Sequence, residues 1–262
     1  MSIKFHFILI NSFFLFSSIG FSQEKKLPAE LKPFVAKGYE MYDFVEGDIN
    51  GDNKKDAILI LKSPGEDTAV DDDLKRPFLL LIRQQNGKLK LEKRTDSLVM
   101  CAHCGGVFGD PYQETKIFKN GFLISFYGGS NWRWGYDYTF TWNAAKQNWF
   151  LTKEHQLNYN SVAEEISTKE SDIEADELGD IPIEKFNVDP AYKESKWEVI
   201  VTKAYFYTNP KTGSKPRKGY LLKGDKVSCT RILKNFVEVS FENKKEQFTE
   251  GYILKTDLQK IK

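Results

Sequence analysis

The chain has 262 residues, with 38 Lys and Arg against 37 Asp and Glu and a formal net charge of +1. That balance lacks the basic excess expected of a nucleic-acid binder, so no nucleic-acid partner is predicted. Aromatic residues make up 14% of the chain and many apolar runs have period two, which points to one or two strand-rich domains.

Lys4 precedes a mostly apolar run from Phe5 to Phe21, and Gly20 and Ser22 put small residues where a signal peptidase reads. Residues 1–22 therefore read as a secretory signal peptide cleaved after Ser22. The alternative is an uncleaved anchor, against which Asn11, Ser12, Ser17 and Ser18 interrupt the stretch. Cleavage leaves an exported chain, periplasmic or secreted, with no membrane span. It also removes one lysine and no acid, which leaves acids and bases equal in number.

The β-domain predicted over 23–152 opens with Asp48-Ile-Asn50-Gly-Asp52-Asn-Lys54-Lys-Asp56. Side-chain oxygens at positions 1, 3, 5 and 9, with a backbone carbonyl at 7, suit a hard dication that takes six to eight oxygens. Asp48, Asn50, Asp52 and Asp56 are the expected side-chain ligands of a structural calcium ion, and the Lys54 carbonyl is the fifth group. The competing reading is an Asx-rich turn without metal. The loop feeds Ala57-Ile-Leu-Ile-Leu61, a continuous apolar run suited to a strand buried on both faces, and Phe78 to Ile82 repeats the pattern. Asp71-Asp72-Asp73 between them reads as a solvated turn.

Cys101 and Cys104 form a C-A-H-C pair, and Cys229 lies alone in an apolar run. In an oxidising compartment a local disulfide is the expectation for the pair, with reduced thiols or metal binding as alternatives. Gly105-Gly106-Val-Phe-Gly-Asp-Pro follows the pair as a loop, whereas a thioredoxin-type site needs a helix start there. Asn120-Gly121 between two apolar runs signals a hairpin. Trp132, Trp134, Tyr136, Tyr138, Phe140 and Trp142 then place six aromatics on one face of a long strand. That row is either the core face of a sheet or a platform for a ligand, with Trp132, Trp134 and Tyr136 nearest the glycine-rich end.

The strings Cys104-Gly-Gly-Val-Phe-Gly-Asp-Pro111 and Tyr127-Gly-Gly-Ser-Asn-Trp-Arg-Trp134 resemble a family of exported bacterial proteins of unknown function. Members pair an aspartate-rich loop with CGGxxGDP and YGGSxWRW segments. The loop itself is similar to the calcium loops of FG-GAP and integrin-like repeats, with Asn53 in place of the usual glycine. One copy does not make a propeller, so a single β-domain is expected.

Residues 153–197 are acid-rich and read as a linker, with a short solvated helix near Ser161 to Leu178 and an edge strand at Ile181 to Phe186. From 198 to 262, Lys203-Ala-Tyr-Phe-Tyr207, Lys223-Gly-Asp225, Phe236-Val-Glu-Val-Ser-Phe241 and Gly251-Tyr-Ile253 resemble the bacterial Src-homology-3-like domain. The resemblance implies a small barrel in which Tyr205, Tyr207 and Tyr252 line a shallow groove for cell-wall peptides. On the other reading, Ala204 and Phe206 pack inward and the tyrosines are ordinary surface residues.

The fold class that follows is mainly β: an antiparallel domain with a calcium-loop hairpin, then a small Src-homology-3-like barrel. After signal cleavage only His103 and His155 remain, and no nucleophile motif accompanies them, so an enzyme is not expected. The leading function is an exported envelope binding protein whose partner is a cell-wall peptide or glycan, or an envelope protein. An inhibitor of a lysozyme-like cell-wall hydrolase and a cell-wall hydrolase are the two alternatives.

Overall fold

The computed structural model describes residues 25–68, 74–163, 168–188, 195–243 and 245–261, so the signal segment and the Asp71–Asp73 turn lie outside the described residues. The fold is mainly β, built from antiparallel sheets. Among the described residues no helix is long and apolar enough to cross a membrane.

The first sheet is a meander of β1 (Glu40–Gly47), β2 (Asp56–Lys62), β3 (Phe78–Arg83) and β4 (Leu89–Thr95). The unbroken apolar runs in β2 and β3 are buried on both faces. Ala57, Leu59, Leu61, Leu79 and Leu81 pack with Leu31 under the N-terminal segment. Ile58, Ile60, Phe78 and Leu80 face the other way, into the main core. Burying such a side chain fully contributes roughly 1.5–3 kcal/mol, so these two strands anchor the domain.

The second sheet runs β5 (Tyr112–Phe118), β6 (Gly121–Gly129), β7 (Trp132–Asn143), β8 (Asn148–Asn160) and β9 (Lys169–Glu174) in sequential order. Phe118 pairs with Gly121, so the hairpin turn is Lys119-Asn120, one residue earlier than the Asn-Gly signal suggests, with Asn120 at a positive φ of 72°. The aromatic row of β7 divides along its length. Tyr138 and Phe140 are buried, Trp134, Tyr136 and Trp142 are half-buried, and Trp132 is 65% exposed.

One bulge in β8 decides which of its residues share the aromatic face. Leu151 pairs with Phe140 and Lys153 with Thr139, so Thr152 is the extra residue. Side chains alternate across a strand, and one inserted residue reverses the parity of everything beyond it. Trp149 and Leu151 point to the core on one side of the bulge. On the other side Glu154 and Gln156 take that face, opposite Tyr138 and Tyr136, and His155 turns to the reverse face beside Asp172.

The described residues of the acidic segment 153–197 are not a free linker. They complete β8, form β9, and continue into α1 (Ala175–Leu178), where the Glu177 side chain accepts the Glu174 N–H and Leu178 is buried. A turn of 3-10 helix at Ile183–Lys185 replaces the expected edge strand, and Phe186 closes edge-on over Tyr138 and Phe140 at 4.8 and 5.3 Å.

The last unit starts at β10 (Ser195–Val199), three residues before the expected boundary. It continues with β11 (Lys203–Tyr205), β12 (Tyr220–Leu222), β13 (Lys226–Ile232), β14 (Phe236–Glu242), β15 (Phe248–Leu254) and β16 (Leu258–Lys260). The ladder order is β15-β14-β13-β10-β16, with β11-β12 as a separate pair. The expected barrel is therefore not closed: β15 and β16 are the two ends of the ladder, and β15 is bridged beyond it only at Tyr252, to Tyr207. Trp197, Phe206, Val227, Val239 and Ile253 fill its own core, and Cys229 is buried there as well. Leu233, Phe236 and Tyr252 belong instead to the main core, so the two units share apolar packing.

Candidate metal loop and ligand cleft

The loop from Asp48 to Asp56 joins β1 to β2 and is wound by its own side chains. Asp48 accepts the N–H groups of Gly51 and Asn53 at 2.7 and 3.0 Å, and Asn50 accepts that of Asp52 at 3.1 Å. Asp56, fully buried, accepts Ile49 N–H at 3.0 Å and Arg83 N–H at 2.8 Å. Asn53 takes a positive φ of 62°, the conformation that Asn tolerates better than most residues.

One oxygen each from Asp48, Asp52 and Asp56 lies within 4.8 Å of the others, and this set fits a hard cation. Burial and the charges of Asp52 and Asp48 push the Asp56 carboxyl up, against the two N–H donors. Burial also acts to raise Asp52, but the Lys54 N–H and ammonium hold its carboxyl below the ordinary range. The Lys54 ammonium lies 3.1 Å from Asp52 Oδ2.

The loop is also a clasp between sheets. Trp149 Nε1 donates to the Ile49 carbonyl at 3.1 Å, and Asn120 N–H donates to the Asp48 carbonyl at 3.3 Å. Gly51 is required at this approach, since a Cβ there would sit 1.8 Å from Asn120 Oδ1 and its φ is +81°.

Cys101 and Cys104 are joined by a disulfide. Beyond it the two glycine-rich motifs prove to be one structure. Gly129 N–H donates to the Gly105 carbonyl at 2.9 Å, Val107 N–H to the Gly129 carbonyl at 3.2 Å, and Gly106 and Gly129 form a parallel bridge. A Cβ on Gly106 would come within 2.9 Å of the Gly129 carbonyl oxygen, at a φ of +66°. Arg133 lies over the Phe108 ring at 4.2 Å. Asp110, at the end of the first motif, accepts from Tyr42 at 2.7 Å and from the buried Arg76 at 2.6 and 2.9 Å.

Between the second sheet and the last unit lies a cavity of about 700 Å³. Trp134, Tyr136 and Tyr138 of β7 form one wall, with neighbouring ring centroids 5.5 and 6.0 Å apart. Glu154 and Gln156 of β8 stand beside them, placed there by the bulge. Arg231 of β13, Glu238 of β14 and Glu250 of β15 form the facing wall, and His103 and Cys104 of the disulfide loop close the end.

Arg231 bridges the walls. Its Nη1 donates to both oxygens of Glu154, and its Nε lies 3.3 Å from Glu238 Oε2. Burial works against the charge on Arg231, but Glu154 and Glu238 outweigh it and keep the guanidinium protonated. Burial pushes the Glu238 carboxyl up, with Arg231 opposing. Nε and Nη2 of Arg231 are fully buried and make no hydrogen bond of good geometry, Nε being held beside Glu238 by charge.

The three tyrosines of the last unit do not line one groove. Tyr205 is exposed and packs on Tyr220 at 5.5 Å, and Tyr207 packs on Phe236 at 5.2 Å. Tyr252 is buried, held to Tyr207 by paired backbone bonds of 2.7 and 3.0 Å, while Ala204 and Phe206 point inward. Trp134 and Tyr136 do share the cleft, and Trp132 stands outside it. Sequence reasoning missed Glu154, Arg231 and Glu238. Glu154 lies 77 positions from Arg231 in a segment read as linker, and no local signal marks a one-residue bulge.

Comparison of the chain with protein-family models, curated proteins and solved structures found no match.

Proposed function

We propose that the chain is an exported, calcium-clipped binding protein of a bacterial envelope, and that its ligand, a cell-wall glycan or peptide, occupies the cleft between the second sheet and the last unit. The observation that carries the reading is the cavity of about 700 Å³, which sets an aromatic wall against Glu154, Arg231 and Glu238. Its volume falls within the range of small-molecule sites, and it combines apolar ring surface with a few convergent polar groups.

Calcium acts here as a structural clip. The acidic loop touches the second sheet through Ile49 and Asp48 and is distant in role from the cleft. An exported chain meets far more calcium than a cytosolic one, so even an affinity of about 10⁻⁴ to 10⁻³ M fills the loop.

The test is calorimetric titration of the mature chain with soluble peptidoglycan fragments, together with a pull-down on the insoluble polymer. Binding that weakens about tenfold or more in Trp134→Ala and Tyr136→Ala supports the reading. Absence of binding by the intact chain in both assays removes it.

A second reading, inhibition of a cell-wall hydrolase, has its own support. Val107 and Phe108 are 72% and 47% exposed at the tip of a loop fixed by the disulfide and the Gly106–Gly129 bridge. A stiff apolar tip of this kind enters a cleft at low entropic cost. Inhibition of a lysozyme panel that is lost in Phe108→Ala distinguishes it from the first.

A further inference from the structure

A second cavity, of about 530 Å³, lies within the last unit, away from the cleft. Tyr207, Phe236 and Leu254 form its apolar floor, and Lys211, Lys234 and Lys255 stand at its rim. The lysines come from three separate segments: the loop after β11, the turn between β13 and β14, and the end of β15. Among the described residues no carboxylate lines the cavity and no ion pair involves these three lysines. Three lysines lining one cavity without a carboxylate present a positive potential to an anion that enters it.

The rim also carries a tight turn and a hydroxyl. Ser214 N–H closes a turn on the Lys211 carbonyl at 3.0 Å, with Gly213 in the left-handed region at a φ of +84°. Asn235 Nδ2 donates to Thr212 Oγ1 at 3.4 Å, which leaves the Thr212 hydroxyl hydrogen available. Lysine meets phosphate as a point charge, and here three lysines and no arginine line the cavity.

We propose that this cavity binds a phosphate monoester whose organic body rests on Tyr207, Phe236 and Leu254, and whose charge is met by Lys211, Lys234 and Lys255. The site is separate from the cleft and stands or falls without it. The phosphate can belong to a soluble molecule or to a lipid headgroup.

The experiment uses the mature chain at low ionic strength, titrated with phenyl phosphate, with inorganic phosphate, and with vesicles of phosphatidylcholine alone or with phosphatidic acid. Expected is phenyl phosphate binding about tenfold tighter than inorganic phosphate, weakening with salt, with amide shifts at Thr212 and Gly213. Binding to the phosphatidic acid vesicles but not to phosphatidylcholine alone assigns a lipid source. Free phenyl phosphate binding without vesicle binding assigns a soluble one. The variant Lys211→Gln/Lys234→Gln/Lys255→Gln, all at exposed positions, is expected to keep the melting temperature and lose about tenfold or more in affinity. Wild-type affinity in that variant, or no binding to any probe, overturns the proposal.

Discussion

The indole Nε1 of Trp149 donates a hydrogen bond of 3.1 Å to the carbonyl of Ile49, and both residues are almost fully buried. That bond ties the acidic loop of the first sheet to β8 of the second. Trp149→Phe keeps a ring in the core and leaves the Ile49 carbonyl without this donor. Urea denaturation is expected to show a loss of about 1–3 kcal/mol, with a parallel loss of calcium affinity. A variant as stable as the parent would remove this bond from the account of how the sheets are held.

Calcium should stabilise the chain by mass action. With free calcium about 100-fold above its dissociation constant, the gain is about 2.7 kcal/mol. The melting temperature should therefore fall on adding a chelator, and Asp48→Asn/Asp52→Asn should abolish the difference. An unchanged melting temperature with chelator would falsify the metal assignment and leave the loop as an Asx-rich turn.

Arg231 and Glu154 form the ion pair that crosses from β13 to β8. Glu154 is 3% exposed, so removing its partner leaves a buried charge uncompensated. Arg231→Leu is expected to cost about 3–5 kcal/mol, and Arg231→Leu/Glu154→Leu to recover much of that loss. Chemical denaturation of the two single variants and the double variant measures the coupling. Additive single effects would mean that the pair does not hold the two units together.

Burial pushes the Tyr252 hydroxyl up to about 12 from an ordinary value of 10.0, with the Glu238 carboxylate adding to the rise and Arg231 opposing it. A folded-state value above the unfolded one means that the native chain keeps its proton longer. The contribution is complete below pH 10 and is lost as pH rises towards 12, a decline of about 3 kcal/mol. Tyr42 and Tyr112 are shifted in the same direction, by burial and then by Asp110 and Asp43 respectively. The tyrosinate absorbance lost in Tyr252→Phe, taken as a difference from the parent because exposed tyrosines such as Tyr205 and Tyr220 ionise in the folded chain, should develop only as far-ultraviolet dichroism reports unfolding. Ionisation of that one tyrosine at pH 10 in a chain that remains folded would contradict the burial of its hydroxyl.

The strands were largely legible in the sequence, and the reason is periodicity. Ala57 to Leu61 and Phe78 to Ile82 read as strands buried on two faces because each face has its own apolar layer. The Trp132 to Trp142 row read as one face of a strand because side chains alternate. The role of that face was not legible: Phe140 is core, Tyr138 is buried at the inner end of the cleft wall, and Trp134 and Tyr136 open onto the cleft. Acid-rich composition misled between 153 and 197, where β8 and β9 carry their charges on faces turned to solvent or to Arg231.

What the sequence alone determined is the strand-rich class, the position of the oxygen-bearing loop, and the loop character of the glycine-rich segment after Cys104. These follow from local rules, since alternation, turn chemistry and metal-ligand spacing all act within a few residues. Tertiary structure alone decided the cleft. The bulge at Thr152 turned Glu154 towards the aromatic face and His155 away from it, and the shared core of Leu233, Phe236 and Tyr252 brought Arg231 and Glu238 opposite. One residue of register reverses every side chain beyond it, and nothing near Thr152 in the sequence records which strand gives way.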